Sequence, residues 1–157
     1  METRKDNPGI KVPPPFIYAG LFILSFLIQR IRPMDASAFH TPMAIVLSVL
    51  LAGAGTVFGL VAIRQFIRAG TSVLPVKPAS SLQTGGLYAV TRNPMYMGLL
   101  LLYAGLALRF GNWWTLVLLP LLVYIMQSYV IRREEAYLLR RFGEQYEAYR
   151  KKVRRWI

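Results

Sequence analysis

The chain has 157 residues, enough for one domain, and 55% of them are hydrophobic. Nineteen lysines and arginines against seven acids give a net charge of +12, with no cysteine and a single histidine, His40. This excludes a disulfide framework, a thiolate nucleophile and a cysteine metal site, and it leaves too few polar residues to cover a soluble helical core.

The first apolar run, 16–31, follows three prolines and is flanked by Arg30 and Arg32, which can snorkel to an interface. Arg4 and Lys5 before it and Ala36-Ser37-Ala38 after it have the outline of a signal peptide, but Arg30, Arg32 and Asp35 between run and site read against cleavage. His40 sits in the short loop beyond and reads as solvated, not as a metal ligand. The second run, 43–63, carries Gly53, Gly55 and Gly59; Gly55 and Gly59 form a GxxxG pair, which predicts close packing with another helix, a dimer seam being the alternative. Residues 68–94 form a connection rich in Gly, Pro, Ser and Thr, too long for a plain link and so either functional or a loose linker. Its Gly85-Gly86 pair opens backbone geometries closed to other residues.

The third and fourth runs, 95–110 and 113–131, are split only by Gly111-Asn112, which predicts a tight helical hairpin. Trp113 and Trp114 at its turn fit an aromatic belt, and Pro120 should bend the fourth helix. A spanning helix needs about 20 mostly apolar residues. With flanking residues the runs predict four transmembrane helices, at 15–32, 42–63, 94–110 and 112–131, in an all-α integral membrane protein of one domain, 1–157. In the tail, Leu138, Phe142, Tyr146, Tyr149, Val153 and Trp156 recur at intervals of three and four, one face of an amphipathic helix suited to a membrane surface, with a bend at Gly143.

Four spans put both termini on one side. That side would hold sixteen lysines and arginines, including Arg4, Lys5, Lys77 and the nine from Arg132 to Arg155; the other would hold Arg30, Arg32 and Arg109. The asymmetry predicts that both termini and the long loop face the cytoplasm. A basic face hugging the helix ends suits anionic headgroups better than nucleic acid.

On that same side the stretch Thr91-Arg92-Asn93-Pro94-Met95-Tyr96-Met97-Gly98 opens the third span. Asn93 is a suitable N-cap, Pro94 suits the first turn, and Arg92 sits at headgroup level. A helix N-terminus also attracts a polar or anionic ligand. Facing it at the end of the fourth span stands Arg132-Arg133-Glu134-Glu135. A pocket between the two, roofed by the loop and the tail, would offer carboxylates for hydroxyls or an amine and aromatic rings for a flat head group, and would open sideways to lipid.

The string LQTGGLYAVTRNPMYMG, followed by REEAYLLRRFGEQYEAYRKKV, resembles the isoprenylcysteine carboxyl methyltransferase family, small bacterial branch, and its relatives the phospholipid methyltransferases. The motifs are G-x-Y, then R-[HN]-P-x-Y-x-G, then E-E-x-x-L-x-x-x-F-G-x-x-Y-x-x-Y; before the loop stands the bacterial A-G-T-S/T-V-x-P. The resemblance covers about 68–153. It implies an integral membrane enzyme that uses S-adenosylmethionine, with a cofactor-binding part over about 68–157 and no Rossmann sheet, in agreement with the absence of a G-x-G-x-x-G turn. Carried over by position, Ser81, Leu82, Gln83 and Tyr88 line the cofactor, Arg92, Asn93, Pro94, Met95 and Tyr96 form the helix-start wall, and Glu134 lies at the cofactor's polar end. The implied reaction is direct displacement onto a lipophilic acceptor in a bacterial inner membrane. For an amine or hydroxyl acceptor, Glu134 or Glu135 would take the proton.

Two positions depart from the eukaryotic pattern. Asn93 stands where those enzymes have His. Val130 stands where they have the arginine that holds the substrate carboxylate, so Arg133 or Arg132 would have to replace it, and the acceptor (carboxylate, thiol or lipid amine) stays open. The competing readings are an NAD(P)H-dependent reductase of the sterol-reductase type and a non-catalytic four-helix membrane protein. No metal, nucleic acid or prenylated protein partner is indicated, and the oligomeric state stays open.

Overall fold

The computed structural model describes residues 7–72 and 78–156. Arg4, Lys5 and Lys77, used in the charge argument, and Val73, Leu74 and Pro75 of the motif before the loop lie outside the described residues. Every regular element among the described residues is helical. Prolines at the first turn open α1 (Pro14–Ile31), α2 (Pro42–Arg68) and α3 (Pro94–Phe110), where the missing N–H costs nothing. The Thr41 hydroxyl caps α2 by accepting from Ala44 N at 3.2 Å. Gly111, with φ 64°, ends α3 in the left-handed region, and Asn112 caps the next helix by accepting from Trp114 N at 3.0 Å.

Pro120 interrupts the fourth helix as its sequence predicts. α4 (Trp113–Val117) ends at Leu118, and α5 (Leu119–Ile125) restarts with proline in its first turn. Beyond α5, Met126–Ile131 forms a π-helical turn that no local sequence signal announces, and it runs directly into α6 (Arg132–Phe142). α7 (Glu144–Lys152) is separated from α6 by Gly143 at φ 51° and ψ −124°, so the expected bend in the tail is a true break.

The long loop, with a short 3-10 turn at Gly86–Ala89, leads from α2 to α3. α3 packs along its length on α2, and much less on α4. The seam is made of glycines. A methyl group on Gly55 would stand 2.5 Å from Leu102 N, one on Gly98 2.7 Å from Gly59 N, and one on Gly105 2.5 Å from Ala52 N. The Gly55/Gly59 motif therefore joins helices within one chain. α1 closes the other side of α3 through Tyr18, Phe22 and Tyr103, whose rings meet edge to face. The core below holds Ile10, Leu122, Met126 and Val130.

Three helical stretches, Pro14–Ile31, Pro42–Arg68 and Trp113–Phe142, are long and apolar enough to cross a membrane; α3, with 17 residues, is shorter. Their outward faces carry exposed side chains such as Phe16, Ile23, Val49, Leu50, Val57 and Leu60, a surface that lipid accepts and water does not. The bundle has two chemically distinct ends. At one, the Trp113 and Trp114 indoles donate to the carbonyls of Asp35 and Arg32, and Ser25, Thr115 and Asn112 form a buried polar cluster. The other gathers residues 8–12, residues 78–93 of the long loop, α6, α7 and the tail, and with them most of the basic residues among those described.

Candidate functional site

A cleft at the basic end, about 860 Å³ including its mouth, is lined by the loop, the first turn of α3, α6 and α7. The loop is pinned to its neighbours on both sides. Gln65 of α2 donates to Gly85 O and accepts from Leu87 N. Tyr137 of α6 accepts from Ala79 N at 2.8 Å, and Arg141 donates to Ala79 O at 2.8 Å. Residues 78–93 are therefore an ordered wall rather than a loose linker.

The tail takes a different position from the one its periodicity suggests. Tyr146 and Tyr149 are buried against the protein, not laid on a membrane surface. The Tyr149 hydroxyl donates to Tyr88 O at 2.6 Å, and the Tyr146 hydroxyl accepts from Arg92. In α6 the buried aromatic is Tyr137, one position before the predicted Leu138, which is half-buried in the cleft wall. Burial holds the Tyr88, Tyr149 and Tyr146 phenols above their usual range, so each stays neutral at physiological pH.

Asn93 stands at the N-cap of α3, but its side chain does not cap. Its Nδ2 donates 2.9 Å to Arg155 O, which draws the carboxamide away from the free N–H groups of the first turn. Thr91 Oγ1 donates to the same carbonyl at 3.2 Å, and Arg92 N donates to Arg154 O at 3.0 Å.

The two adjacent glutamates are in contrasting environments. Glu135 is paired twice: Arg155 reaches it through Nε at 2.8 Å and Nη2 at 2.6 Å, and Arg92 Nη1 stands 3.3 Å away. This pairing pushes the Arg155 pKa further up. Glu134 has no cationic neighbour among the described residues; its only protein partner there is Tyr96, whose hydroxyl donates to Oε1 at 2.5 Å. Its carboxylate faces the cleft. Arg132 and Arg133 do not neutralise it. Both are exposed, and Arg133 donates to Gly9 O at 3.0 Å while its guanidinium lies 4.6 Å from the Tyr129 ring centre.

Of the residues singled out from sequence, Ser81, Leu82, Gln83, Tyr88, Arg92, Asn93, Met95, Tyr96, Glu134 and Glu135 converge on this cleft. Two do not. Pro94 is fully buried beneath the wall, and Arg133 lies outside, engaged with the N-terminal segment. Val130 is buried in the apolar core, so that position does not reach the cleft either. Sequence reasoning missed Pro8, Phe66 and Tyr137. Pro8 had no signal. The aromatic spacing of the tail pointed near Tyr137, but the break at Gly143 separates α6 from α7, so a single helical wheel drawn through both does not give the buried face of α6.

Residues 43–145, well over half of the chain, match the family described as phospholipid methyltransferase. Over 72 residues, 46% of this chain, the sequence is 42% identical to the protein-S-isoprenylcysteine O-methyltransferase of Schizosaccharomyces pombe, but only 30% of that protein's length is matched. Over 65 residues, 40% of this chain, it is 40% identical to an uncharacterized protein of Haemophilus influenzae, matched over its whole length. No solved structure matches.

Proposed function

This chain belongs to the phospholipid methyltransferase family, and we propose that it is an integral membrane methyltransferase that takes its methyl group from S-adenosylmethionine and delivers it to a lipophilic acceptor. The observation that carries the proposal is Glu134, a carboxylate without a cationic neighbour among the described residues, lining an aromatic-walled cleft. A buried or half-buried carboxylate is costly unless it is paired, and an ammonium or a pair of ribose hydroxyls is the partner that this acceptor-only group favours.

The rest of the cleft suits the same molecule. The Phe66 and Tyr88 rings, 5.2 Å apart, offer flat apolar surface to an aromatic base. Tyrosine faces also favour a positive charge. The Ser81 hydroxyl and the Gln83 amide, which bond each other at 2.9 Å, add polar groups on the loop side.

Bound there, S-adenosylmethionine would supply an electrophilic methyl group on a sulfonium. The protein's task is then to hold, align and exclude water, which can be worth several powers of ten in rate. Tyr96 keeps Glu134 oriented, and the loop and α7 cover the cleft. A thiolate or carboxylate acceptor needs no base. For an amine or hydroxyl acceptor Glu134 is the better base of the two glutamates, because both oxygens of Glu135 are engaged by arginines.

The proposed topology has four spans, with α3 the shortest, both termini and the long loop at the cytoplasmic face, and the 94–131 segment as a hairpin. Its support is the separation of basic residues between the two ends of the bundle. A reporter fused after residue 156 should report cytoplasm, and one inserted at 36–37 should report the opposite side. The same side for both overturns four spans.

The cofactor is tested by calorimetry in detergent with S-adenosylmethionine and, separately, NADPH. The expected result is binding of the former alone. Asn93→Ala should weaken it and Trp113→Ala, at the far end of the bundle, should not. Binding of NADPH alone favours the reductase reading, and equal affinity in both variants removes the site from the start of α3.

A further inference from the structure

We propose that the C-terminal segment 154–156 is a clasp that sets the helix-start wall of the cleft, with Arg155 and Glu135 as positioning residues rather than catalytic ones. The proposal rests on the cofactor reading above for its binding readout, but not for its structural one.

Three backbone carbonyl contacts, two to Arg155 O and one to Arg154 O, tie the tail to Thr91, Arg92 and Asn93, the three residues that lead into α3. Trp156 Nε1 donates to Gln127 Oε1 in the π-turn at 3.2 Å, so the same short segment also grips the helix that carries Glu134. The tail thus bridges the two elements whose spacing defines the cleft.

Charge makes the bridge cooperative. Arg92 is largely buried, and Glu135 is its only counter-charge among the described residues. Its Nε has no partner there. Burying a cation without a partner is costly. Arg155 completes the arrangement by a forked pair on Glu135, a geometry that a lysine cannot reproduce. Without Arg155, Glu135 serves one arginine alone, the tail carbonyls leave Thr91 and Asn93, and the wall at Asn93 and Met95 is no longer held against Glu134. This also explains why the Asn93 side chain engages the tail instead of its own helix.

The experiment uses the full chain in detergent with Arg155→Ala, Arg155→Lys, Glu135→Gln and, as control, Arg154→Ala, whose side chain is exposed and which joins the clasp through its backbone carbonyl. Hydrogen exchange at the amides of 92–98 and S-adenosylmethionine affinity are measured, with the ligand-free melting temperature as the measure of the fold. Loss of a charge-assisted pair predicts about a tenfold fall in affinity for Arg155→Ala. Exchange at 92–98 should be faster, with a smaller effect for Arg155→Lys and none for Arg154→Ala. Unchanged exchange at 92–98 in Arg155→Ala overturns the clasp. So does an affinity loss matched by an equal fall in ligand-free stability, which would mark a merely structural pair. Should Arg155→Ala fail to fold, Arg155→Lys and Glu135→Gln carry the same two readouts. If the parent chain binds no S-adenosylmethionine, the cofactor reading fails and the exchange arm still decides the clasp.

Discussion

Glu134→Gln is expected to lower the affinity for S-adenosylmethionine by about ten- to hundredfold, with the chain still folded. The size comes from a charge-assisted hydrogen bond in a site shielded from water, about 1.5–3 kcal/mol, at about 1.4 kcal/mol per decade. The substitution keeps the shape and one acceptor, so the Tyr96 hydroxyl keeps its partner, and only the charge is lost. A carboxylate merely solvated at a helix end would be worth about 0–1 kcal/mol, and the exposed Glu144→Gln on α7 should show that smaller effect. Titration calorimetry on the two variants separates the cases. Affinity equal to the parent's in Glu134→Gln would mean that the cofactor's polar end lies elsewhere in the cleft.

The contrast between Glu134 and Glu135 marks the limit of what sequence could tell. Both stand in one tetrapeptide, and periodicity assigns them adjacent positions on a helix without saying which is paired. That is decided by Arg155, twenty residues downstream, and by Arg92, forty-three residues upstream, neither of which a local pattern connects to Glu135. The helices themselves were legible, because apolar runs, helix-opening prolines and Gly111 act locally. So was the interruption at Pro120. The π-turn was not, since Met126-Gln127-Ser128-Tyr129-Val130-Ile131 has an ordinary helical composition and only the packing of Val130 and Ile131 into the core reveals it. The tail was half legible. Its aromatic stripe was visible, but an apolar stripe serves a membrane surface or a protein surface equally, and the hydroxyls of Tyr146 and Tyr149, which choose the protein, have no period.

The glycine seam carries the largest expected effect on stability. Gly55→Ala and Gly98→Ala should each destabilise the chain by about 3 kcal/mol or more, the upper end of the cost of overpacking. In each case the added methyl meets backbone atoms of the facing helix, Leu102 N and Gly98 O for Gly55, Gly59 N and Gly55 O for Gly98, all within 2.8 Å. Backbone cannot change rotamer, so the helices must part, and helices in lipid are held by this close packing, not by a hydrophobic drive between them. Gly59 is the informative control. It belongs to the same GxxxG pair, yet a methyl on it meets nothing within 4 Å, because α3 touches its backbone from the other side. Gly59→Ala should therefore be neutral or slightly stabilising, since alanine is the better helix former by about 1 kcal/mol. Unfolding in mixed detergent, read by tryptophan fluorescence, measures all three. A motif that served a dimer seam on the outer face of α2 would give the reverse order, with Gly59→Ala the damaging change and a loss of dimer to accompany it. Damage confined to Gly55 and Gly98 identifies the seam as the joint between α2 and α3, and it is this joint that holds the first turn of α3, with Asn93 and Tyr96, at the height of Glu134.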